Sequence, residues 1–302
     1  MKLAITGANG HLGRRLIKTL ASQHEIVAVV RSSSACQVLA QELGPLAKVV
    51  ECDYGNSASL GEVLKDVDYV VHLPGIIKES RVNTFKMAHE DAADALLTAI
   101  EGTQVQGILY LSILGAHIDS TNACLASKAR AEKRLLEGVV PARVIKVPMV
   151  LGEGDFASRA LAKKARRGLN VDFNAASLEQ PIYAGDVIAA IINSIDDQPR
   201  RDVIDLAGPE SLARSALIKR AGAILGLEPG VISVPLWPGL IIAGLLELLL
   251  PVPPVTRAML GVLNHDDAID TTQASSQLGV RLTSLDVMLT AVLGPLAGKV
   301  DN

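Results

Sequence analysis

Thr6-Gly7-Ala8-Asn9-Gly10-His11-Leu12-Gly13 directly follows the apolar run Leu3-Ala4-Ile5 and leads into a segment, His11–Leu20, that reads as a helix. Three glycines therefore stand where a short buried strand must turn into a helix. Gly7 permits the tight turn, Gly10 lets backbone approach a bound pyrophosphate, and Gly13 lets the helix pack hard against the sheet. The first-turn amides of that helix then point at the phosphates. A glycine-rich stretch alone is weak, but one at a strand-to-helix junction is much more specific. It predicts a nucleotide site containing Gly7, Asn9, Gly10, His11, Leu12 and Gly13, with His11 a helix-start residue near the phosphates rather than a general base.

Working outward, strand-like segments (25–30, 48–52, 68–73, 106–112, 143–147) alternate with helix-like ones (35–43, 57–64, 83–100, 121–137). Such alternation with short loops predicts an α/β fold, a doubly wound parallel Rossmann sheet over residues 1–150. Ligands of that topology bind at the carboxyl ends of the strands, where strand order reverses. Beyond Pro148 the pattern loosens into helices at 156–167, 185–194, 211–225 and 240–250, with short strands near 180–183 and 203–206. Prolines at 235, 238, 251, 253 and 254 fix its corners. Residues 151–302 read as a smaller C-terminal α/β cap for substrate or partner, closing over the nucleotide cleft with some interleaving with the first domain.

Composition bounds the partners. A formal net charge of -3 gives no basic field, which argues against nucleic acid. Aromatics are 3% of the chain, and small aliphatic residues fill the core, as in parallel strands buried on both faces. Cys36, Cys52 and Cys124 have neither disulfide nor metal-ligand spacing, and no metal site is expected. With the first strand starting at residue 2, no leader is expected and a cytoplasmic location is. The run Leu240–Leu250, LIIAGLLELLL, is too short for a transmembrane span. It reads as a buried or interface helix, with peripheral contact to lipid or a partner as the alternative.

Several motifs then agree in order and position. Thr6–Gly13 resembles the TGxxGxxG fingerprint of the extended and atypical short-chain dehydrogenase/reductase superfamily, the group that includes NAD(P)-dependent epimerases and dehydratases. Asp53 matches the acidic residue that holds the adenine amino group there, and His72-Leu73-Pro74-Gly75 resembles the fourth-strand H-L-A-G motif lining the cofactor. Ser112 matches the serine ending the fifth strand, Ser127-Lys128 the following lysine, and Val147-Pro148 with Gly152 the R-P-x-x-x-x-G turn. Gln180-Pro181-Ile182-Tyr183 with Asp186-Val187 resembles the segment leading into a helix of the substrate region. The Gly208-Pro209-Glu210 turn and the apolar tail look most like the branch holding the nucleotide-binding accessory subunit of respiratory complex I and its bacterial relatives. The resemblance implies that Leu73, Pro74, Gly75, Lys128 and Pro148 join the cofactor site.

The tip of the second strand selects the cofactor. Val29-Val30-Arg31-Ser32-Ser33 carries no carboxylate to accept the ribose hydroxyls of NAD(H), whereas Arg31 offers a fork of donors to a 2′-phosphate. NADP(H) is favoured over NAD(H). In the superfamily the acid/base is usually a Tyr four residues before the Lys. Here Cys124 stands four before Lys128, so the phenol is missing. Lys128, Ser112 and Cys124 are the candidate catalytic residues, although a thiol falls short of where a phenol oxygen reaches. Tyr110 and Tyr183 are further phenols that could approach the site. Two functions follow: an oxidoreductase on a small or lipid-like substrate, or a non-catalytic NADPH-holding subunit or sensor on a membrane-associated protein partner.

Overall fold

The computed structural model describes residues 1–80, 82–250, 253–262 and 265–296; Pro251, which bounds the apolar run, lies outside them. The chain begins β1 (Lys2–Thr6), α1 (His11–Leu20), β2 (Glu25–Val30), α2 (Ser33–Leu43), β3 (Lys48–Glu51), α3 (Ser57–Leu64) and β4 (Tyr69–His72). A π-helical turn (Lys86–Asp91) then leads to α4 (Ala92–Ala99), β5 (Gly107–Ile113), α5 (Ala123–Glu137) and β6 (Ala142–Val147). Shorter pieces follow: β7 (Val150–Leu151), α6 (Phe156–Ala165), β8 (Leu169–Phe173), β9 (Leu178–Glu179), β10 (Ile182–Tyr183), α7 (Ala184–Asp196) and β11 (Asp202–Asp205). The chain continues through β12 (Leu212–Ala213), α8 (Arg214–Ile224), β13 (Gly230–Val234), α9 (Leu236–Leu249), α10 (Arg257–Val262), α11 (Thr272–Gln277) and α12 (Leu285–Leu293).

Two compact units result, Met1–Lys146 with Ile188–Ile204, and Val147–Val187 with Asp205 onward. In the first, seven strands make one sheet ordered β11-β6-β5-β4-β1-β2-β3. β1 runs parallel to β2 and β4, β2 to β3, and β4 to β5. The chain builds outward from β1 through β3, then restarts beside β1 with β4. That reversal opens a crevice at the carboxyl ends of β1 and β4, the ligand position of doubly wound sheets.

The sequence explains both faces of this sheet. Leu16, Ile17 and Leu20 recur at helical spacing on α1 and are buried, each worth about 1.5–3 kcal/mol relative to exposure. The opposite face packs Ala4, Val70, Ile108 and Tyr110 against Leu60 and Leu64 of α3, Leu96 of α4 and Leu135 of α5. By strand alternation Thr6, His72 and Ser112 lie on this same face.

The second unit has its own core, in which Leu161 of α6, Leu217 and Ile218 of α8, and Met288 and Leu289 of α12 pack together. Three differences from the sequence-based expectations stand out. The helix expected over 83–100 is a π-turn followed by α4. The helix expected from 240 begins at Leu236, because Pro238 sits in the first turn, where its missing N–H costs nothing. β8 and β13, paired in parallel, had no alternation strong enough to announce them.

Candidate functional site

The glycine loop is built as its spacing requires. Gly7 has φ +72°, and a Cβ there would stand 3.1 Å from the Leu73 carbonyl carbon and the Pro74 nitrogen. At Gly13 a Cβ would meet the Gly7 and Ala8 carbonyl oxygens at 2.8 Å, backbone atoms that cannot step aside. Gly10 is the N-cap of α1, and no side chain caps the helix. The amino end of such a helix, with its dipole, suits a phosphate group. Tyr54, unremarked in the sequence, braces the loop from below. Its hydroxyl accepts the Gly7 amide hydrogen at 2.7 Å and donates to the Val29 carbonyl at 2.8 Å. Burial pushes this phenol up to about 12, so it remains a neutral bracket.

Beside the loop lies a cavity of about 740 Å³, lined by Asn9, Arg31, Ser32, Asp53, Tyr54 and Asn83 among others. Its size is in the ordinary range for a small-molecule site. Arg31 lies 5.6 Å from the Tyr54 ring centre and donates to Asn83 Oδ1 at 2.8 Å. Asp53 accepts the Gly55 amide at 3.1 Å, which fixes its carboxylate at the cavity wall. The two residues expected to hold the adenosine end are thus brought together, and Ser32 lines the same wall. Glycines where side chains would collide with backbone, and a pocket at the strand tip lined by Arg31, Ser32 and Asp53, fit an NAD(P)H-type dinucleotide.

The other half of the crevice is floored by the loop after β4. The Leu73 amide bonds the Thr6 carbonyl at 3.2 Å. Lys128 Nζ donates to the carbonyls of Pro74 and Leu111, both at 3.1 Å, and lies 4.4 Å from the Tyr110 ring centre. A Cβ at Gly75 would lie 3.2 Å from this ammonium. Burial lowers the Lys128 pKa to about 8. Ile76 is gripped from both sides. Its amide donates to His89 Nε2 at 3.2 Å, which places the imidazole proton on Nδ1, facing Ser127 Oγ at 2.7 Å. Its carbonyl accepts from Cys124 Sγ at 3.4 Å. The π-turn explains how His89 reaches: one wider turn swings a buried imidazole toward Ile76 and α5. Thr6, His72 and Tyr110 form a transverse row in register across β1, β4 and β5. Thr6 Oγ1 and His72 Nδ1 are 2.8 Å apart.

The candidate catalytic residues separate in this geometry. Ser112 donates to buried Glu132, which also pairs with Lys146 at 3.0 Å. Burial, the largest influence, raises the Glu132 carboxyl. Cys124 is 1% exposed and its thiol is pushed up to about 11 by burial, so it stays protonated and bonded to Ile76. Lys128 and Cys124 both bond the loop after β4, Lys128 at Pro74 and Cys124 at Ile76, whereas Ser112 does not. Tyr110 is fully buried, and Tyr183, in the second unit, donates to Glu153. Pro148 follows β6 at the start of the second unit. Tyr54, His89 and Glu132 escaped the sequence reading because each acts through partners far away in the chain; the one available signal was an aromatic beside Asp53 in a chain poor in aromatics.

Comparison with known proteins agrees with this geometry. A family described as NAD(P)H-binding matches residues 7–139. Ceramide reductase of Caulobacter vibrioides is 26% identical over 247 residues, covering 81% of this chain and 76% of the relative. The mitochondrial NADH dehydrogenase (ubiquinone) 1 alpha subcomplex subunit 9 of Arabidopsis thaliana is 27% identical over 68% of this chain, which spans only 53% of that relative's length. Among solved structures, UDP-glucuronic acid 4-epimerase from Bacillus cereus in complex with NAD superposes with a TM-score of 0.72 at 17% identity. That match covers 97% of this chain and 96% of the epimerase.

Proposed function

We propose, for a chain that belongs to the extended short-chain dehydrogenase/reductase superfamily, that it is an NADPH-dependent reductase of a hydrophobic carbonyl compound in which Lys128 replaces the missing phenol. Bound NADPH would supply the hydride. Gly7, Gly10 and Gly13 with the α1 amides hold the pyrophosphate, Arg31 with Ser32 the 2′-phosphate, and Asp53 the adenine amino group. Leu73, Pro74 and Gly75 line the nicotinamide half.

The observation that carries the proposal is the position of Lys128. Two of its hydrogens are fixed on the Pro74 and Leu111 carbonyls, one remains, and burial has brought its pKa to about 8. An ammonium so poised gives up a proton near neutral pH more readily than an exposed lysine does. Lys128 Nζ donates that proton to the oxygen of the reduced carbonyl and recovers one from water. The names of the relatives, a ceramide reductase and a quinone oxidoreductase of Escherichia coli, support a hydrophobic substrate.

A second reading is favoured by one observation. The position where the superfamily places its phenol is a thiol bonded to Ile76, which suits a subunit that holds NADPH without turning it over. Two measurements separate the readings. A thermal-shift series with NADPH, NADP, NADH and NAD should show the largest stabilisation with the phosphorylated forms, about 2.7 kcal/mol at a hundred times Kd. NADPH absorbance should then fall with at least one long-chain aldehyde, ketone or enone. Binding without oxidation of NADPH across the panel favours the holder; equal responses to all four nucleotides overturn the NADP(H) assignment.

A further inference from the structure

The Arg31 guanidinium is held without being neutralised. It lies against the Tyr54 ring and donates from Nη1 to Asn83 Oδ1 at 2.8 Å, and among the described residues no carboxylate pairs with it. Arg14, on α1, is by contrast taken by Glu42. The two carboxylates that line the cavity with Arg31 have partners of their own: Asp53 accepts the Gly55 amide, and Asp91 pairs with Lys86. α2, capped by Ser32, starts next to Arg31 and carries no acidic residue in its first turn. A ring face and a neutral amide thus fix the cation and leave its charge for a ligand.

Asn83 is delivered to Arg31 by an anchored segment. Ser80 and Asn83 exchange amide–carbonyl bonds at 3.0 and 3.3 Å. Just beyond, the Phe85 amide donates to Glu79 Oε1 at 2.7 Å and the Met87 amide to Thr84 Oγ1 at 3.2 Å. Phe85 is buried and its ring stacks on His89, whose Nε2 accepts the Ile76 amide. From this frame the Asn83 side chain meets a residue 52 positions earlier in the chain. Its chemistry is directional, because a side-chain amide has an acceptor oxygen and a donor nitrogen. With Oδ1 spent on Arg31, Nδ2 is left to donate to an occupant of the cavity that Asn83 lines. The remaining guanidinium N–H groups stand beside it.

We propose that Asn83 is a specificity-determining residue of the cofactor site, positioning Arg31 and adding its own Nδ2–H to the 2′-phosphate of NADPH. This role rests on the assignment of that phosphate to Arg31 and Ser32. Aspartate at position 83 distinguishes it from a plain tether. The replacement keeps the oxygen that Arg31 uses and turns the contact into an ion pair. It also removes both amide hydrogens, offsets the guanidinium charge and sets a carboxylate against the phosphate. A residue that only steadies Arg31 tolerates this change; one that selects the phosphate does not.

The probe is the adenosine end alone, adenosine 2′,5′-bisphosphate against adenosine 5′-monophosphate, titrated calorimetrically into the full chain without turnover. The parent should prefer the bisphosphate. Asn83→Asp should weaken that ligand about tenfold or more while moving the monophosphate by less than about twofold. Asn83→Ala, which loses the donors without adding charge, should fall between parent and N83D. If N83D fails to fold, N83A decides, its loss being confined to the bisphosphate. Bisphosphate binding by N83D as tight as the parent's overturns the proposal. An equal loss of both nucleotides overturns it too, since it makes Asn83 a general support of the pocket. Arg31→Asp separates this role from the assignment beneath it. If Arg31→Asp abolishes the preference and N83D leaves it intact, the phosphate stays at Arg31 and only the role of Asn83 falls. If the parent shows no preference, or Arg31→Asp retains it, both fall.

Discussion

Tyr54 and Gly7 meet at 2.7 Å, the hydroxyl accepting the first amide of the glycine loop while donating to Val29. Tyr54→Phe removes both bonds at once, leaving the half-buried Gly7 N–H without its acceptor and the Val29 carbonyl with only the longer Ala8 amide. The expected cost is about 1–3 kcal/mol. Urea unfolding should show a lower midpoint at unchanged slope, together with weaker NADPH binding. A variant as stable as the parent would show that the loop holds its shape without this brace.

Arg31 is the cation at the tip of β2, resting against the Tyr54 ring. Arg31→Asp should weaken NADPH binding about ten- to a hundredfold, the worth of a charge-assisted contact to phosphate. NADH, which lacks that phosphate, should bind at least as well as before. Titration calorimetry with both nucleotides checks this, and parallel losses would move the 2′-phosphate site elsewhere.

Lys128 has a pKa of about 8 in the folded chain, against 10.5 unperturbed, because burial disfavours its charge. If its proton is transferred, turnover should fall as pH rises through about 8. Lys128→Arg, charged at every accessible pH, should lose that inflection along with most of its activity. Stability should move the other way: between about pH 8 and 10.5 the unfolded chain binds the extra proton, so folding gains with pH. Buried Cys124, whose thiol is pushed up to about 11, opposes this gain above about pH 9, so urea midpoints measured across the window separate a loss of turnover from unfolding.

Ser112 spends its hydroxyl on Glu132 within the sheet–helix interior, while Lys128 bonds the neighbouring Leu111 carbonyl. Ser112→Ala should therefore cost about 1 kcal/mol of stability and leave kcat almost unchanged. A large fall in kcat at an unchanged thermal midpoint would put Ser112 in contact with substrate.

His72 and His89 are held at about 3 by burial, with Lys128 adding repulsion, and both fold as neutral imidazoles. The unfolded chain takes up their protons near 6.5. Stability is thus fully present above about pH 6.5 and is lost as pH falls from there toward 3. Urea midpoints measured across this range should drop more steeply for the parent than for His89→Gln. Equal slopes would mean that His89 is already protonated in the fold.

The glycine loop, the strand alternation and the missing phenol were legible because each is written in contiguous residues. Gly7, Gly10 and Gly13 state a turn, a contact and a packing distance within one short stretch. Arg31 and Asp53 could be placed because both follow strands, and the sheet brings strand tips to one edge. The π-turn was not legible, since Lys86–Asp91 shows ordinary helical spacing and only the grip of His89 on Ile76 reveals the wider turn. The second unit was read loosely because its strands are short and β8 reverses the usual alternation, so that pattern alone suggests no strand. The buried ties of Tyr54 and Glu132 depend on partners 47 and 20 residues distant and leave no local trace.

The fastening of Ile76 has a consequence for anyone who would re-engineer this site. Position 124 is a rivet: its sulfur closes a clasp on the same segment that His89 holds from the other side. Installing tyrosine there would pry open the floor it was meant to serve, because the ring must occupy the space where the segment now rests.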